Sequence, residues 1–170
     1  MWKILRQIVV TGVRTQTAPE SDDTLRVEAG RIQSDVLEIL GRALAIRAVD
    51  AGSCNGCELE IHALNNPYYN IKGLGIRFVA SPRHADMLLV TGPVSRNMEV
   101  ALRRTYDATP DPKLVVAVGD CGCNGGVFGE SYATCGAVEN VVGVDLRIPG
   151  CPPTPLALMQ GILAAVRMSR

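Results

Sequence analysis

The pattern of apolar and polar positions changes character near residue 42. From there onward, short runs rich in Val, Ile and Leu alternate with segments in which apolar residues recur at helical spacing. Such alternation is typical of a parallel sheet with crossover helices. It predicts strands at 44–49, 76–80, 87–91, 114–118 and 144–148. It also predicts helices at 58–65, 95–106 and 155–167.

One connection does not fit a simple parallel sheet. Only residues 81–86 separate the second predicted strand from the third, and a parallel crossover usually needs about a dozen residues or more. Either the second strand is short or its pairing is unusual.

The first 41 residues form a predicted N-terminal arm with short helices, and residues 42–170 form the main domain. In the arm, Trp2, Leu5 and Val9 recur at helical spacing, with Ile4 and Ile8 beside them. This apolar face could lie on a membrane or a partner subunit, or it could cover the protein's own core. Residues 34–40 predict a second, brief helix that ends at Gly41.

Composition and charge narrow the class of protein. The 170 residues suffice for one domain with its own core, and 17 basic residues balance 17 acidic ones. Because these charges balance, the chain has no overall positive electrostatic potential that would attract nucleic acid, and we expect no nucleic-acid partner. The start lacks the pattern of an export signal, and the apolar stretches are too short to span a bilayer. Six cysteines in a chain of this kind indicate a metal or catalytic role rather than disulfides.

The cysteines follow the ends of predicted strands. Cys54 and Cys57 come after the first strand, Cys121 and Cys123 after the fourth, and Cys151 after the fifth. Because the carboxyl ends of parallel strands lie along one edge, where such folds bind their ligands, these residues can converge on one point.

Convergent thiolates indicate an iron–sulfur cluster or a tetrahedral zinc ion. The spread over three distant loops favours a cluster, which is wider than a single ion. Two further features agree: prolines follow Cys151, and the flanking glycines let backbone amides approach sulfur. These glycines are Gly52, Gly56, Gly119, Gly122, Gly125, Gly126 and Gly150. Structural zinc in an interaction module, and thiol–disulfide chemistry at Cys54-Asn-Gly-Cys57, remain alternatives.

Four motifs in order carry a family resemblance. They are Cys54-Asn-Gly-Cys57-Glu-Leu-Glu60, Ser81-Pro-Arg-His-Ala-Asp86, Gly119-Asp-Cys121 with Gly125-Gly126, and Pro149-Gly-Cys151-Pro-Pro153. The chain resembles the small subunit of nickel–iron (NiFe) hydrogenases and its homologue, the 20 kDa iron–sulfur subunit of respiratory complex I. The complex I subunit has adjacent cysteines in the first motif, so the spaced pair here is most similar to the membrane-associated, complex I-like hydrogenases. These include the formate hydrogenlyase and energy-converting types.

The resemblance implies an α/β, flavodoxin-like fold with a mostly parallel sheet and helices on both faces. It implies one 4Fe–4S cluster, the proximal one, bound by Cys54, Cys57, Cys121 and Cys151. The chain would pass electrons between a NiFe large subunit and a ferredoxin-like iron–sulfur subunit, without substrate chemistry of its own. The implied location is peripheral, at the cytoplasmic face of the cell membrane, beside membrane subunits. A complex I-type subunit that passes electrons to quinone is the alternative within the resemblance.

Three further residues are candidates for positions near the cluster. Glu60 matches an acidic residue there in the relatives, while Arg83 and His84 belong to the second motif and could oppose charge or couple proton uptake. Cys123 could compete with Cys121 for a ligand position, and Cys135 is interpreted as a small buried residue.

Overall fold

The computed structural model describes residues 2–12, 23–52 and 54–168 of the chain. Its strands are β1 Leu44–Asp50, β2 Ile76–Phe78, β3 Met87–Thr91, β4 Leu114–Val118 and β5 Leu146–Ile148. Its α-helices are α1 Trp2–Thr11, α2 Asp23–Leu40, α3 Gly56–Ala63, α4 Arg96–Ala108, α5 Gly119–Asn124 and α6 Pro155–Met168. Short 3₁₀ turns occupy Ile71–Leu74, Pro82–His84 and Val138–Asn140.

The five strands form one sheet in the order β2-β1-β3-β4-β5, and every pairing is parallel. This is the strand order of the flavodoxin-like doubly wound fold, as predicted. All strands therefore share one carboxyl edge and one amino edge.

Apolar side chains pack on both faces of this sheet. On one face, Leu89 of β3 belongs to a core with Ile61 of α3 and Ile162 of α6. On the other face, Leu88 packs in a second core with Leu102 of α4. Because successive residues of a strand point to opposite faces, β3 and β4 are buried on both and consist almost wholly of aliphatic residues.

The predicted strands β3 and β4 have the observed bounds, whereas β2 and β5 are shorter than predicted. The brief helix predicted at 34–40 is wrong in length: α2 has 18 residues, although it does end before Gly41. The first half of α2 contains Gly30 and neighbouring polar residues, so its apolar positions do not recur clearly at helical spacing. Val36 of α2 lies in the core, so this helix packs on the domain. The domain boundary at residue 41 stays a prediction.

The short β2–β3 connection follows from the register. Phe78 ends β2 and Met87 begins β3, and both lie opposite Ile46 of β1. The intervening chain therefore passes sideways across β1 and need not return along a strand. Of the two explanations given by the sequence, the short second strand is correct, and β1 also separates β2 from β3.

Helix α1 contributes nothing to the core. All of its residues are exposed, including Trp2 at 81% and Val9 at 82%. The alternative that this segment covers the protein's own core is therefore wrong. Among the described residues, no helix combines the length and hydropathy needed to cross a bilayer.

The contact between α6 and β5 yields a stability prediction. A Cβ at Gly161 of α6 would lie 2.5 Å from Cγ1 of Ile148, which is buried. Alanine is favoured over glycine in a helix by about 1 kcal/mol, but overpacking a core costs about 1–3 kcal/mol. Gly161→Ala should therefore lower the free energy of unfolding by about 1 kcal/mol in urea titrations.

The matched control is Gly30→Ala on α2, where a Cβ would meet nothing within 4 Å. It should leave stability unchanged or slightly raised. Adding Ile148→Val to Gly161→Ala should recover part of the loss, because valine lacks Cδ1. Equal stability of the two alanine variants would contradict a tight α6–β5 contact.

Candidate metal centre

Two of the cysteines lie where β1 ends and α3 begins. Cys54 is exposed, and Cys57 is half-buried as the second residue of α3. Asn55 between them adopts a left-handed conformation with φ of 71°, which Asn tolerates better than most residues. This turn carries both sulfurs to the carboxyl edge of the sheet.

Cys121 lies on α5, which begins directly after β4. Two glycines make room for the sulfurs here. A Cβ at Gly119 would lie 2.6 Å from the Cys57 sulfur, and one at Gly126 would lie 2.7 Å from the Cys121 sulfur. Both glycines also have positive φ, at 80° and 53°. The chain therefore leaves space for sulfur at positions that a side chain would fill.

Cys151 follows β5 and is joined to the Cys121 loop by hydrogen bonds in both directions. The Asp120 N–H donates to the Gly150 carbonyl at 2.9 Å. The Gly150 N–H donates to Asp120 Oδ1 at 2.8 Å. Hydrogen bonds to a charged carboxylate are stronger than neutral ones, so this clamp fixes the two loops relative to each other.

The electrostatics show that four thiols share one environment. The pKa of the Cys57 thiol is raised to about 12, first by burial and then by the charges of Glu58, Cys54, Cys121 and Cys151. Burial followed by Cys151 and Cys54 also raises the pKa of Cys121. Like charges that approach each other favour the neutral form. A positively charged metal group is what would stabilise all four as thiolates.

Cys123 and Cys135 lie apart from this group. The Cys123 Sγ is 3.7 Å from the Ala117 carbonyl oxygen, to which it donates, and burial followed by Asp120 raises its pKa. Cys135 is buried, and its thiol donates to Glu99 Oε2 at 3.4 Å. Burial is the first cause of its raised pKa, ahead of that hydrogen bond.

Arg83 and His84 are not brought to the cysteines, contrary to the position expected for them. They lie in the 3₁₀ turn before β3, and they line a cavity of about 780 Å³ with Arg42, Asp86 and Asp111. Those residues all precede strands, so the cavity is at the amino edge. The five residues of β3 separate the two edges by about 16 Å.

Glu60 was the acidic residue expected near the site, but Glu58 and Asp120 are the ones that act on the cysteine loops. Glu60 of α3 is half-buried, and it does not contribute to the raised pKa of either Cys57 or Cys121. Glu58 does raise the pKa of Cys57, and Asp120 forms the loop clamp. Both are adjacent in sequence to a motif cysteine, which is the signal that could have identified them.

Four thiols from three loops are a donor set that fits an iron–sulfur group. In the part of the chain that the structure describes, no three His, Cys, Asp or Glu side chains are close enough to hold a single metal ion. The charges of Cys54, Cys121 and Cys151 nevertheless reach Cys57 across three loops. Thiolates spaced in this way suit a polynuclear iron–sulfur group.

Comparison with known proteins identifies relatives of the chain. The family model described as NADH ubiquinone oxidoreductase, 20 kDa subunit, matches residues 54–165. A probable membrane-bound hydrogenase subunit of Pyrococcus furiosus is 42% identical over 78% of this chain and 80% of its own length. A subunit of the NADH-quinone oxidoreductase of Desulfovibrio desulfuricans is 44% identical over 72% of this chain and 66% of its own.

Two further matches differ in length or in named activity. Formate hydrogenlyase subunit 7 of Escherichia coli is 42% identical over 79% of this chain, which spans only 53% of that relative. Among solved structures, a chain of the membrane-bound sulfane sulfur reductase, an archaeal respiratory membrane complex, superposes with a TM-score of 0.67 at 33% identity. The match covers 78% of this chain and 74% of that one.

The space at Gly119 yields a prediction for metal binding. Gly119→Ala would direct a methyl group at the Cys57 sulfur, and its φ of 80° disfavours any side chain. We expect the variant to bind less iron per purified chain. Gly129→Ala is the matched control, because its φ is also positive, at 56°, but its Cβ would meet nothing within 4 Å. If both variants lost the same amount of iron, the loss would result from backbone strain alone and not from the space left for sulfur.

Proposed function

This chain belongs to the NADH ubiquinone oxidoreductase 20 kDa subunit family, whose members are subunits of electron-transferring oxidoreductase complexes, and we propose that it holds one 4Fe–4S cluster. The proposed ligands are Cys54, Cys57, Cys121 and Cys151. The observation that carries the proposal is the convergence of these four thiols at one sheet edge, close enough for the charges of the other three to act on Cys57.

When bound, a 4Fe–4S cluster supplies one-electron redox chemistry. The chain itself positions the four sulfurs and partly excludes water from them. Cys57 and Cys121 are half-buried and lie toward the sheet, whereas Cys54 and Cys151 are exposed. The exposed side is therefore the face toward which a partner's redox centre would be placed.

Apolar side chains beside this face support partner binding. Val127 is 95% exposed and Phe128 58% exposed, and both directly follow Gly126, which leaves room for the Cys121 sulfur. Exposed apolar residues around a site commonly mark a protein interface.

We propose that a NiFe large subunit covers this face and that a ferredoxin-like subunit continues electron transfer. The assembled enzyme would reversibly reduce protons to hydrogen. Names of relatives, a membrane-bound hydrogenase subunit and a formate hydrogenlyase subunit, support this assignment.

We also propose a peripheral position at the cytoplasmic face of a membrane, beside membrane subunits. The name of the membrane-bound hydrogenase relative supports the association with a membrane. The alternative is electron transfer to quinone, and the NADH-quinone oxidoreductase relative favours it. Nickel in the co-purifying large subunit and hydrogen-dependent dye reduction would support the hydrogenase assignment. Absence of both would favour the quinone-linked one.

A zinc-stabilised interaction module is the remaining alternative, and it predicts a colourless protein rather than a brown one.

Serine substitutions test the four proposed ligands. Replacing any one of Cys54, Cys57, Cys121 or Cys151 should lose or convert the cluster, because a hydroxyl is a poor substitute for a thiolate. Iron and acid-labile sulfide analysis, with electron paramagnetic resonance, measures the result. Cys123→Ser is the matched control on the same loop as Cys121, and Cys135→Ser is a second control. Both should retain the full signal.

The opposite ranking would overturn the ligand assignment. If Cys123→Ser abolished the signal and Cys121→Ser kept it, the loop would present a different sulfur to the cluster. If no serine variant changed iron content, the cluster proposal itself would be wrong.

The apolar residues beside the site predict behaviour without partners. The chain expressed alone should aggregate, as judged by size-exclusion chromatography, because an interface side would be left open. Val127→Ser should reduce co-purification of the large subunit severalfold. Val100→Ser on α4, also an exposed valine at 56%, should not. A stable monomer that holds a full complement of iron would contradict an obligate partner.

A further inference from the structure

Helix α1 is amphipathic and fully exposed. At about 100° per residue, Ile4, Ile8, Leu5, Val9 and Trp2 occupy an arc of about 160° on one side. The other side carries Lys3, Arg6, Gln7 and Thr11, interrupted by Val10. The helix has no acidic residue and no buried side chain.

This helix is poorly stabilised by its own sequence. It has ten residues, five of them β-branched, and isolated helices shorter than about 12 residues are marginal in water. Lys3 in the first turn also opposes the helix dipole. Since α1 obtains no burial within the described part of the chain, its apolar arc is open to a surface outside those residues.

We propose that α1 binds the surface of an anionic lipid bilayer directly. Lys3 and Arg6 have no acidic residue beside them in the helix, so their positive charge complements negatively charged headgroups. The apolar arc holds no polar group that would recognise a specific groove on a protein. The helix is about 15 Å long and a bilayer core is about 30 Å thick. It therefore lies in the plane of the surface with the apolar side chains inserted.

The inference does not depend on the metal centre. The proposed function places the chain at the membrane through its complex, whereas α1 supplies a contact made by this chain itself. One short helix binds lipid reversibly, so it would add to the complex's other membrane contacts and orient the chain relative to them.

Trp2 makes the contact measurable, because it is the single tryptophan of the chain. The unaggregated fraction of the full-length chain, isolated by size-exclusion chromatography immediately before use, is mixed with vesicles of phosphatidylcholine, with or without phosphatidylglycerol. Trp2 fluorescence is recorded with brominated acyl chains as quenchers. We expect a blue shift and quenching with phosphatidylglycerol vesicles, and both should weaken as salt is added. Quenching by lipid bromine distinguishes membrane insertion from aggregation of the chain.

Substitutions on the two sides of α1 complete the test. Removing both cations with Lys3→Gln and Arg6→Gln should weaken partitioning about 30-fold, at about fivefold for each charge. Ile8→Asp should abolish it, and Gln7→Asn on the polar side is the control that should not change it. Iron content should be the same in all variants, which separates this test from that of the metal centre.

Three results would overturn the proposal. The first is no quenching with phosphatidylglycerol vesicles. The second is quenching that is equal on phosphatidylcholine alone and insensitive to the Lys3 and Arg6 substitutions. The third is loss of a subunit from the complex in Ile8→Asp with vesicle binding unchanged, which would identify a protein as the occupant of this helix face.

Discussion

The gathering of four cysteine thiols at one edge of a parallel sheet, where burial and neighbouring charges act on Cys57 and Cys121, is the constraint on which the proposed function depends. Burial and neighbouring thiols both favour neutral Cys57 and Cys121, so the loops would not hold thiolates together without a positive centre. The sheet supplies the rigid support. Strands β1, β4 and β5 are anchored in two aliphatic cores, and the cysteine loops continue from their ends. Glycine at 119 and 126 then leaves room for sulfur.

The two edges of the sheet have different chemistry. Cysteine sulfurs gather at the carboxyl edge, whereas the cavity at the amino edge is lined by Arg42, Arg77 and Arg83 together with Asp86 and Asp111. Among the described residues, no basic side chain lowers the pKa of Cys57 or Cys121. A positive charge that tunes the reduction potential of the proposed cluster is therefore not expected from the second motif of this chain.

The sequence was most informative where burial leaves few choices. Strands β3 and β4 are apolar on both faces, and their bounds were predicted to the residue. The convergence of Cys54, Cys121 and Cys151 followed from their positions after parallel strands. Arg83 was expected at the wrong edge of the sheet. A motif shared with relatives does not show which edge a residue occupies, whereas the position of Arg83 just before β3 indicates the amino edge. The first half of α2 was missed because its pattern lacks a strong apolar stripe.

The clamp between Asp120 and Gly150 has a consequence for the energetics of electron transfer. Two hydrogen bonds in opposite directions hold the Cys121 and Cys151 loops at a fixed separation. When the charge of a bound centre changes by one electron, loops restrained in this way cannot relax far. In the proposed electron transfer these two loops would then add little to the reorganisation energy, and the exposed side of the site, beside Cys54 and Cys151, would contribute more.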